Sequence, residues 1–515
     1  MRIVKRLFWA VFFVTFLSCN STKQAVNENA IVDDGKISFT FLQVNDVYEI
    51  APLAGGKEGG LARIATLKKN LLQENSNTFA FMAGDFLSPS LLGTIKYKGQ
   101  LIKGQQMIDV MNAVGFDLVT FGNHEFDLSK GELQRRLNES NFAWTSANVR
   151  QKFCGDTFPF YKERNGIKEF VSDTHIIEAQ DADGTQIRIG FFSVTLPSNP
   201  QNYVAYTDMY NEAKRAYESL KLRADIVFGL THVKLSEDKK IAELLKDIPL
   251  IMGGHEHHNM SINIGNTKII KADANAKTAY IHRINYDKNT KALILKSELK
   301  PITNELTEDL NTQRVVDKWN DILNEQIKEI ISNPNEIIYE AKVPLDGRDK
   351  PIRSVQTNLG KLIARAMAYG FDDKVDCALV NGGSVRIDDQ LVGAINSLDI
   401  FRVLPFGGGI LKVDIKGSLL KEVLDYGESK AGSGAYLQRY LADLDAENDR
   451  WVINEKPIEN DQIYRVAFSD YLLKGFDIPF LKSNNEGVLK VYKPTTTELG
   501  SDIRKTIVAY LNSIK

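Results

Sequence analysis

The chain reads as an α/β protein of two domains joined by a long helix. Three observations carry that reading. From 37 to about 300, short β-branched or aromatic runs alternate with segments of helical period. The stretch 310–332 is a charged amphipathic helix that stops at Asn333–Pro334. From 336 onward a capped helix, a buried strand and a glycine turn open a second unit. A single core is not expected at 515 residues.

Taken in order, ISFTFLQV is a strand, LARIATLKKNLLQE a helix and TFAFMAGD a strand. QMIDVMNAVG and DLVTFGNH continue the alternation, as do IRIGFFSV, YNEAKRAYESLKLRA, DIVFGLTH, KKIAELLKD and IPLIMGGH. Such spacing places the residues that follow each strand along one rim of a sheet. In the second unit TNLGKLIARAMAYG is the capped helix, and CALVNGGSVR is the buried strand entering its turn. LPFGGGILKVDIKG supplies a further glycine-rich turn and strand.

The N-terminus is expected to lie outside the fold. Arg2, Lys5 and Arg6 precede the apolar run LFWAVFFVTFL, which ends at Ser18–Cys19. Residues 1–19 thus have the pattern of a signal peptide, too short for a comfortable span. A small residue before Cys19 resembles a lipoprotein box, so Cys19 is the expected lipidation site and residues 20–36 a polar tether. The expected location is the cell envelope, periplasm or outer membrane, with the lipid as membrane anchor. Cys154 and Cys377 are then the remaining cysteines, far apart, and imply no disulfide framework. A net charge of −2 gives no polybasic footprint, which argues against a nucleic-acid polymer as partner.

Histidine is scarce, 7 in the chain, yet His124, His255, His257 and His258 crowd into GNHEFD and GGHEHH. His232 ends a further strand-like run, and Asp46 and Asp85 end two others. Imidazole, carboxylate and amide oxygen together suit Zn²⁺, Mn²⁺ or Fe²⁺. A carboxylate shared by two such ions makes the clamp used to hydrolyse phosphate esters. His258 merely follows the pair and reads as a rim residue, while His175 and His282 lie outside every motif.

The segments NDVYE, GDFLSPS, GNHEFD, LTHV and GGHEHH resemble, in content and order, those of calcineurin-like metallophosphatases. RSVQTNLG, NGGSVR and LPFGG resemble the C-terminal domain of secreted bacterial 5′-nucleotidases. The resemblance implies a metallophosphatase β-sandwich flanked by helices over 37–305, a linker helix over 306–335 and an α/β substrate-binding domain over 336–515. It implies two divalent ions drawn from Zn, Mn, Co and Fe. Asp85 would bridge them, Asp46 and His257 would bind the first, and Asn123, His232 and His255 the second. His124 would face the substrate, oriented by Asp127 as a dyad that stabilises phosphoryl charge. Arg353, Asn381 and Arg386 fall on positions that bind nucleotide, and Phe406 on that of a base-stacking ring. The second ring is replaced by KGFDIPF at 474–480, where Phe476 or Phe480 would stack and Asp477 would bind ribose. Gln356 stands where glutamate is more common.

One position departs from the family pattern. Where Asp-x-His is usual, this chain reads Asp46-Val47-Tyr48. Either Tyr48 coordinates as phenolate, which favours a hard trivalent ion, or it points away and leaves the first ion with Asp46, Asp85, His257 and solvent. The implied activity is hydrolysis of nucleoside 5′-monophosphates by a metal-bound hydroxide. The same site would serve a 2′,3′-cyclic phosphodiesterase with 3′-nucleotidase activity, or a nucleotide-sugar pyrophosphatase. A degraded first ion site would instead leave a non-catalytic nucleotide-binding lipoprotein.

Overall fold

A computed structural model describes residues 33–198, 201–328, 331, 333–334 and 336–515. The signal peptide, Cys19 and most of the tether lie outside these residues. Among the described residues, no helix is long and apolar enough to cross a membrane. Lys36, the last residue expected in the tether, instead opens the first strand, Lys36–Val44.

Two six-stranded sheets form the first domain. The first runs Leu293–Pro301, Thr278–Asp287, Lys36–Val44, Thr78–Met82, Leu118–Thr120 and Ala143–Thr145 in spatial order. The second runs Thr174–Gln180, Gln186–Thr195, Ile226–His232, Leu250–Gly253, Thr267–Lys271 and Met260–Ile264. Phe39, Phe41 and Phe81 of one sheet meet Phe191 and Phe228 of the other in a shared core. Ring centroids there stand 4.9–5.5 Å apart for the pairs Phe41–Phe81, Phe41–Phe191 and Phe41–Phe228, the distances of edge and offset packing. Continuous apolar runs such as ISFTF and DIVFGL are explained by burial of both strand faces.

The outer faces are covered by helices. Leu61–Glu74 and Gln105–Val114 pack on the first sheet; Met209–Lys221 and Leu235–Leu244 pack on the second. The central strands Lys36–Val44, Thr78–Met82 and Leu118–Thr120 are parallel, as are Ile226–His232 and Leu250–Gly253. Their carboxyl ends therefore share a rim, which is where the sequence places its ligands.

The linker helix is Leu310–Lys328, nested inside the expected 306–335. It is docked rather than free, because Val316, Trp319, Leu323 and Ile327 are buried in the first domain's core. Trp319 Nε1–H also donates to Asp109 at 3.2 Å.

The second domain is a five-stranded mixed sheet ordered Leu437–Tyr440, Cys377–Asn381, Ile463–Ser469, Ile410–Lys416 and Val488–Tyr492. Helices Asn358–Tyr369 and Ile503–Ser513 cover one face, and Gly417–Ser429 the other. Thr357 caps the first of these, its Oγ1 accepting Gly360 N–H at 3.0 Å. Leu398 and Phe401 of this domain join the first domain's core, fixing how the two halves meet. The two cysteines among the described residues are free, Cys154 exposed and Cys377 buried.

Candidate metal centre and substrate cleft

Three loops that leave parallel strands bring Asp46, Asp85 and Asn123 to the rim of the first sheet, and His232 and His255 reach the same point from the second. The loops are tight. Asp46, Asp85 and His255 hold left-handed φ values of 53°, 55° and 88°, a conformation that costs free energy and persists where surroundings enforce it. Two glycines allow the close approach. A Cβ on Gly122 would stand 2.1 Å from Asp85 Oδ1, and one on Gly254 would stand 2.3 Å from the Ala83 carbonyl.

The ligand atoms of Asp85, His232 and His255 lie within 4.8 Å of one another. His232 Nδ1–H donates to the Ala83 carbonyl at 2.8 Å, which aims Nε2 inward, 3.1 Å from Asp85 Oδ2. Asp46 Oδ1, Asn123 Oδ1 and His232 Nε2 are buried and have no hydrogen-bond partner among the described residues. Leaving one such atom unsatisfied costs about 1–3 kcal/mol. Asp46 Oδ1 and His232 Nε2, 4.0 Å apart, form with the adjacent Asp85 carboxylate a donor set that fits a cation, and it holds the oxygen and nitrogen types a divalent transition metal prefers.

Electrostatics agree. Burial opposes charge on His232, but Asp85 and Asp46 overcome it and carry the imidazole up to about 10. The two carboxylates thus hold positive charge at this point, a demand a divalent ion meets. Burial and then the neighbouring His232 push His255 down to about 3. His255 is therefore a neutral imidazole, the state that ligates.

His257 and Tyr48 lie on the Asp46 side of this cluster. His257 Nε2 is 3.4 Å from Asp46 Oδ1 and 3.0 Å from Tyr48 Oη. Tyr48 Oη also lies 3.4 Å from Asp85 Oδ2. The account in which Tyr48 turns away is therefore overturned. Its ring is buried, and its backbone N–H is held by Asn275 Oδ1 at 2.9 Å, which pins the phenol over the carboxylates. Burial, and then Asp85 and Asp46, raise the phenol well above its ordinary value. Both effects favour the neutral O–H over the phenolate.

His124 pairs with Asp127 through Nδ1 and Oδ2 at 2.8 Å, while Ser88 Oγ–H donates to the same carboxylate at 3.0 Å. Burial opposes charge on His124; Asp85 and Asp127 outweigh it and raise the pKa. His258 is exposed at the rim, as expected. His282 is structural, bonded to Ser297 Oγ at 2.9 Å and Gln43 Oε1 at 3.0 Å.

The second domain closes over this centre. A cleft of about 760 Å³ is lined by Tyr48, Asp85, Asn123, His124, His255 and His257 from the first domain and by Arg353, Arg386 and Asp388 from the second. Arg353 is held by Asp349 at 2.7 Å. The Arg386 guanidinium lies 5.7 Å from the centroid of Phe406, whose ring is 57% exposed. Asn381 Nδ2–H donates to Asp477 Oδ2 at 2.7 Å, and Phe476 is 69% exposed with Tyr471 5.7 Å away. Of the two rival rings, Phe480 packs edge-on against Tyr426 at the second domain's core and is not free to stack on a ligand. Gln356 is also occupied, donating to Leu437 O at 2.8 Å and accepting Arg439 N–H at 2.8 Å.

Three supporting residues escape the sequence reading. Glu125 is fully buried in GNHEFD and accepts N–H from Asp85 at 3.0 Å, Phe86 at 2.8 Å and Leu87 at 3.0 Å, shaping the Asp85 loop. Lys271, also fully buried, donates to the carbonyls of Val233 and Gly254 at 2.7 Å each, tying together the loops of His232 and His255. Asp388 contacts His257 from across the cleft. Glu125 at least lies inside the GNHEFD motif that the sequence singles out; the other two answer to partners far off in sequence.

Carboxylates, imidazoles and an amide gathered at strand ends, faced by arginines, define a metal-dependent phosphoester hydrolase. The chain matches the family model for calcineurin-like phosphoesterases over residues 39–259 and that for the 5′-nucleotidase C-terminal domain over residues 337–483. It belongs to the 5′-nucleotidase family, which joins these two domains. It is 27% identical over 505 residues to a snake venom 5′-nucleotidase of Gloydius brevicauda, covering 86% of this chain and 82% of that one. Against a 5′-nucleotidase of Bos taurus the identity is 27% over 473 residues, with 81% and 78% covered. The fold is similar to that of a 5′-nucleotidase precursor from Thermus thermophilus, with a TM-score of 0.69, 23% identity, and 93% and 97% of the chains covered.

Proposed function

We propose that this protein is an exported phosphomonoesterase that releases phosphate from nucleoside 5′-monophosphates. The observation that carries the reading is the shared cleft: the Asp85–His232–His255 cluster and His124 on one wall, Arg353 and Arg386 on the other. A phosphate fits between ions and guanidinium groups, and the exposed Phe406 and Phe476 beside Asn381 and Asp477 suit a base and a ribose.

Asp46, His257 and bridging Asp85 would hold the first ion; Asp85, Asn123, His232 and His255 the second. When bound, the ions supply Lewis acidity and a hydroxide nucleophile. The chain's own groups do the rest. Arg353 and Arg386 orient the phosphate and neutralise its outer oxygens. His124, with Nδ1 committed to Asp127, offers Nε2 to the phosphoryl group, and its raised pKa favours the charged form that stabilises developing negative charge. The retained dyad argues against a mere binding protein, which has no need of it.

Export and a lipid at Cys19 rest on the leader pattern alone; Cys19→Ala should release the protein from the membrane fraction. The activity is tested by phosphate release from 5′-AMP after chelation and add-back of Mn²⁺, Zn²⁺, Co²⁺ or Fe²⁺. 3′-AMP, 2′,3′-cyclic AMP and a UDP-sugar run alongside. Metal-dependent release mainly from 5′-AMP is the expected result, and turnover confined to the cyclic or sugar-linked compounds refutes the substrate assignment.

A further inference from the structure

The two domains meet at the turn 386–389 of the second. Arg386 opens it and lines the cleft. Asp389 ends it with an ion pair to Lys277 of the first domain, at 2.6 Å. Between them Asp388 holds a left-handed φ of 41° and points its carboxylate at Nδ1 of His257. The other oxygen, Oδ1, accepts the backbone N–H of Asp349 in its own domain. The carboxylate is thus fixed on one side and extended across the cleft on the other, with its side chain only 14% exposed.

The His257 side chain is 23% exposed, whereas that of His232 is fully buried. His232 has its ring set by the Ala83 carbonyl. For His257 the corresponding orienting group on Nδ1 is Asp388. A carboxylate that accepts Nδ1–H fixes the tautomer, turns Nε2 toward the ion and makes it a better donor. The matching geometry is present here: Nε2 faces Asp46 Oδ1 and Tyr48 Oη while Nδ1 faces Asp388.

We propose that Asp388 is a positioning residue for the first ion site, reaching across the domain boundary to orient His257. The inference rests on the ligand assignment made above. It gives the turn two tasks, since the segment that presents Arg386 to the phosphate also completes the ligand set opposite. It matters most in this chain, where Tyr48 stands at a position usually held by histidine and the first ion has few protein ligands to spare.

The test is calorimetric titration of the full, metal-stripped chain with Mn²⁺, with bound metal counted by mass spectrometry, for the parent, Asp388→Asn, Asp388→Gly and Lys277→Ala. Glycine tolerates the left-handed backbone, so a folding defect from strain is avoided; thermal unfolding of each variant confirms integrity. The parent should bind two ions in two resolvable steps. Both Asp388 variants should weaken one step by about 10–100-fold and leave the other unchanged. Lys277→Ala, which cuts the neighbouring ion pair without touching His257, should keep both steps. Parental affinity in the Asp388 variants overturns the proposal, and so does equal weakening by Lys277→Ala, which would assign the effect to domain contact in general. A parent that takes up only one ion refutes the two-ion assignment itself, a failure distinct from that of Asp388.

Discussion

Tyr48 Oη lies 3.0 Å from Nε2 of His257 and 3.4 Å from Oδ2 of Asp85. The residue at a position usually held by histidine therefore remains part of the centre, as a neutral hydroxyl rather than an imidazole. A phenol raised by burial and by Asp85 and Asp46 is a poor ligand for a divalent ion. Tyr48→His should tighten the first ion by at least about tenfold, or about 1.4 kcal/mol. It should also shift selectivity toward Zn²⁺. Competitive metal titration checks both; identical affinity and preference would remove Tyr48 from the account.

Lys271 carries a second prediction. Its ammonium meets the buried Asp238 at 2.8 Å, two loop carbonyls, and the partly exposed Glu256. Burial opposes its charge, but Asp238 and Glu256 more than restore it and the pKa rises. Lys271→Met leaves the buried Asp238 carboxylate without its cation and should cost about 3–5 kcal/mol in denaturant unfolding. Adding Asp238→Asn should recover part of that loss, because one stranded charge is then gone.

Base recognition is separable from phosphate chemistry. Phe406→Ala and Phe476→Ala each remove an exposed ring. Each should raise KM for 5′-AMP by about tenfold, within the roughly 1–3 kcal/mol of a lost stack. Hydrolysis of p-nitrophenyl phosphate, which has no nucleobase, should hold its parental kcat. Steady-state kinetics on both substrates decides it, and equal losses on both would place these rings in folding instead.

Asp309 gives a pH prediction for the linker helix. Lys69, and then the backbone N–H and hydroxyl of Thr312, lower its carboxyl to about 2. A folded pKa below the unfolded one means the contribution is present above about pH 4 and is lost as pH falls toward 2. The Asp309 side chain is 11% exposed, but its partner Lys69 is 56% exposed and screened by solvent, so the effect is modest. Thermal unfolding from pH 5 to 2 should fall less steeply for Asp309→Asn than for the parent.

The sandwich strands and the candidate metal ligands were legible because each is a local pattern. An apolar run ending in Asp, Asn-His or His-x-His states both the strand and the chemistry at its end, as with Asp85 after TFAFMAG and His232 after IVFGLT. Hairpins such as Val149–Phe153 with Asp156–Phe158, and Tyr161–Arg164 with Ile167–Phe170, were not legible. Their half-exposed strands are short and follow no clean alternation.

By itself, then, the sequence determined the two-domain α/β class, the ligand types at the strand ends, and the arginines and asparagine of the second domain. The first two follow from period and spacing within a few residues, and the last from the family resemblance of RSVQTNLG and NGGSVR. Only the tertiary structure decided that Tyr48 faces His257, that Phe480 packs against Tyr426 while Phe476 is exposed, that Lys271 binds two ligand loops together, and that Asp388 meets His257. Each of these depends on which surfaces pack together, and residues 48 and 257, or 388 and 257, become neighbours only once two sheets and two domains have closed around one rim.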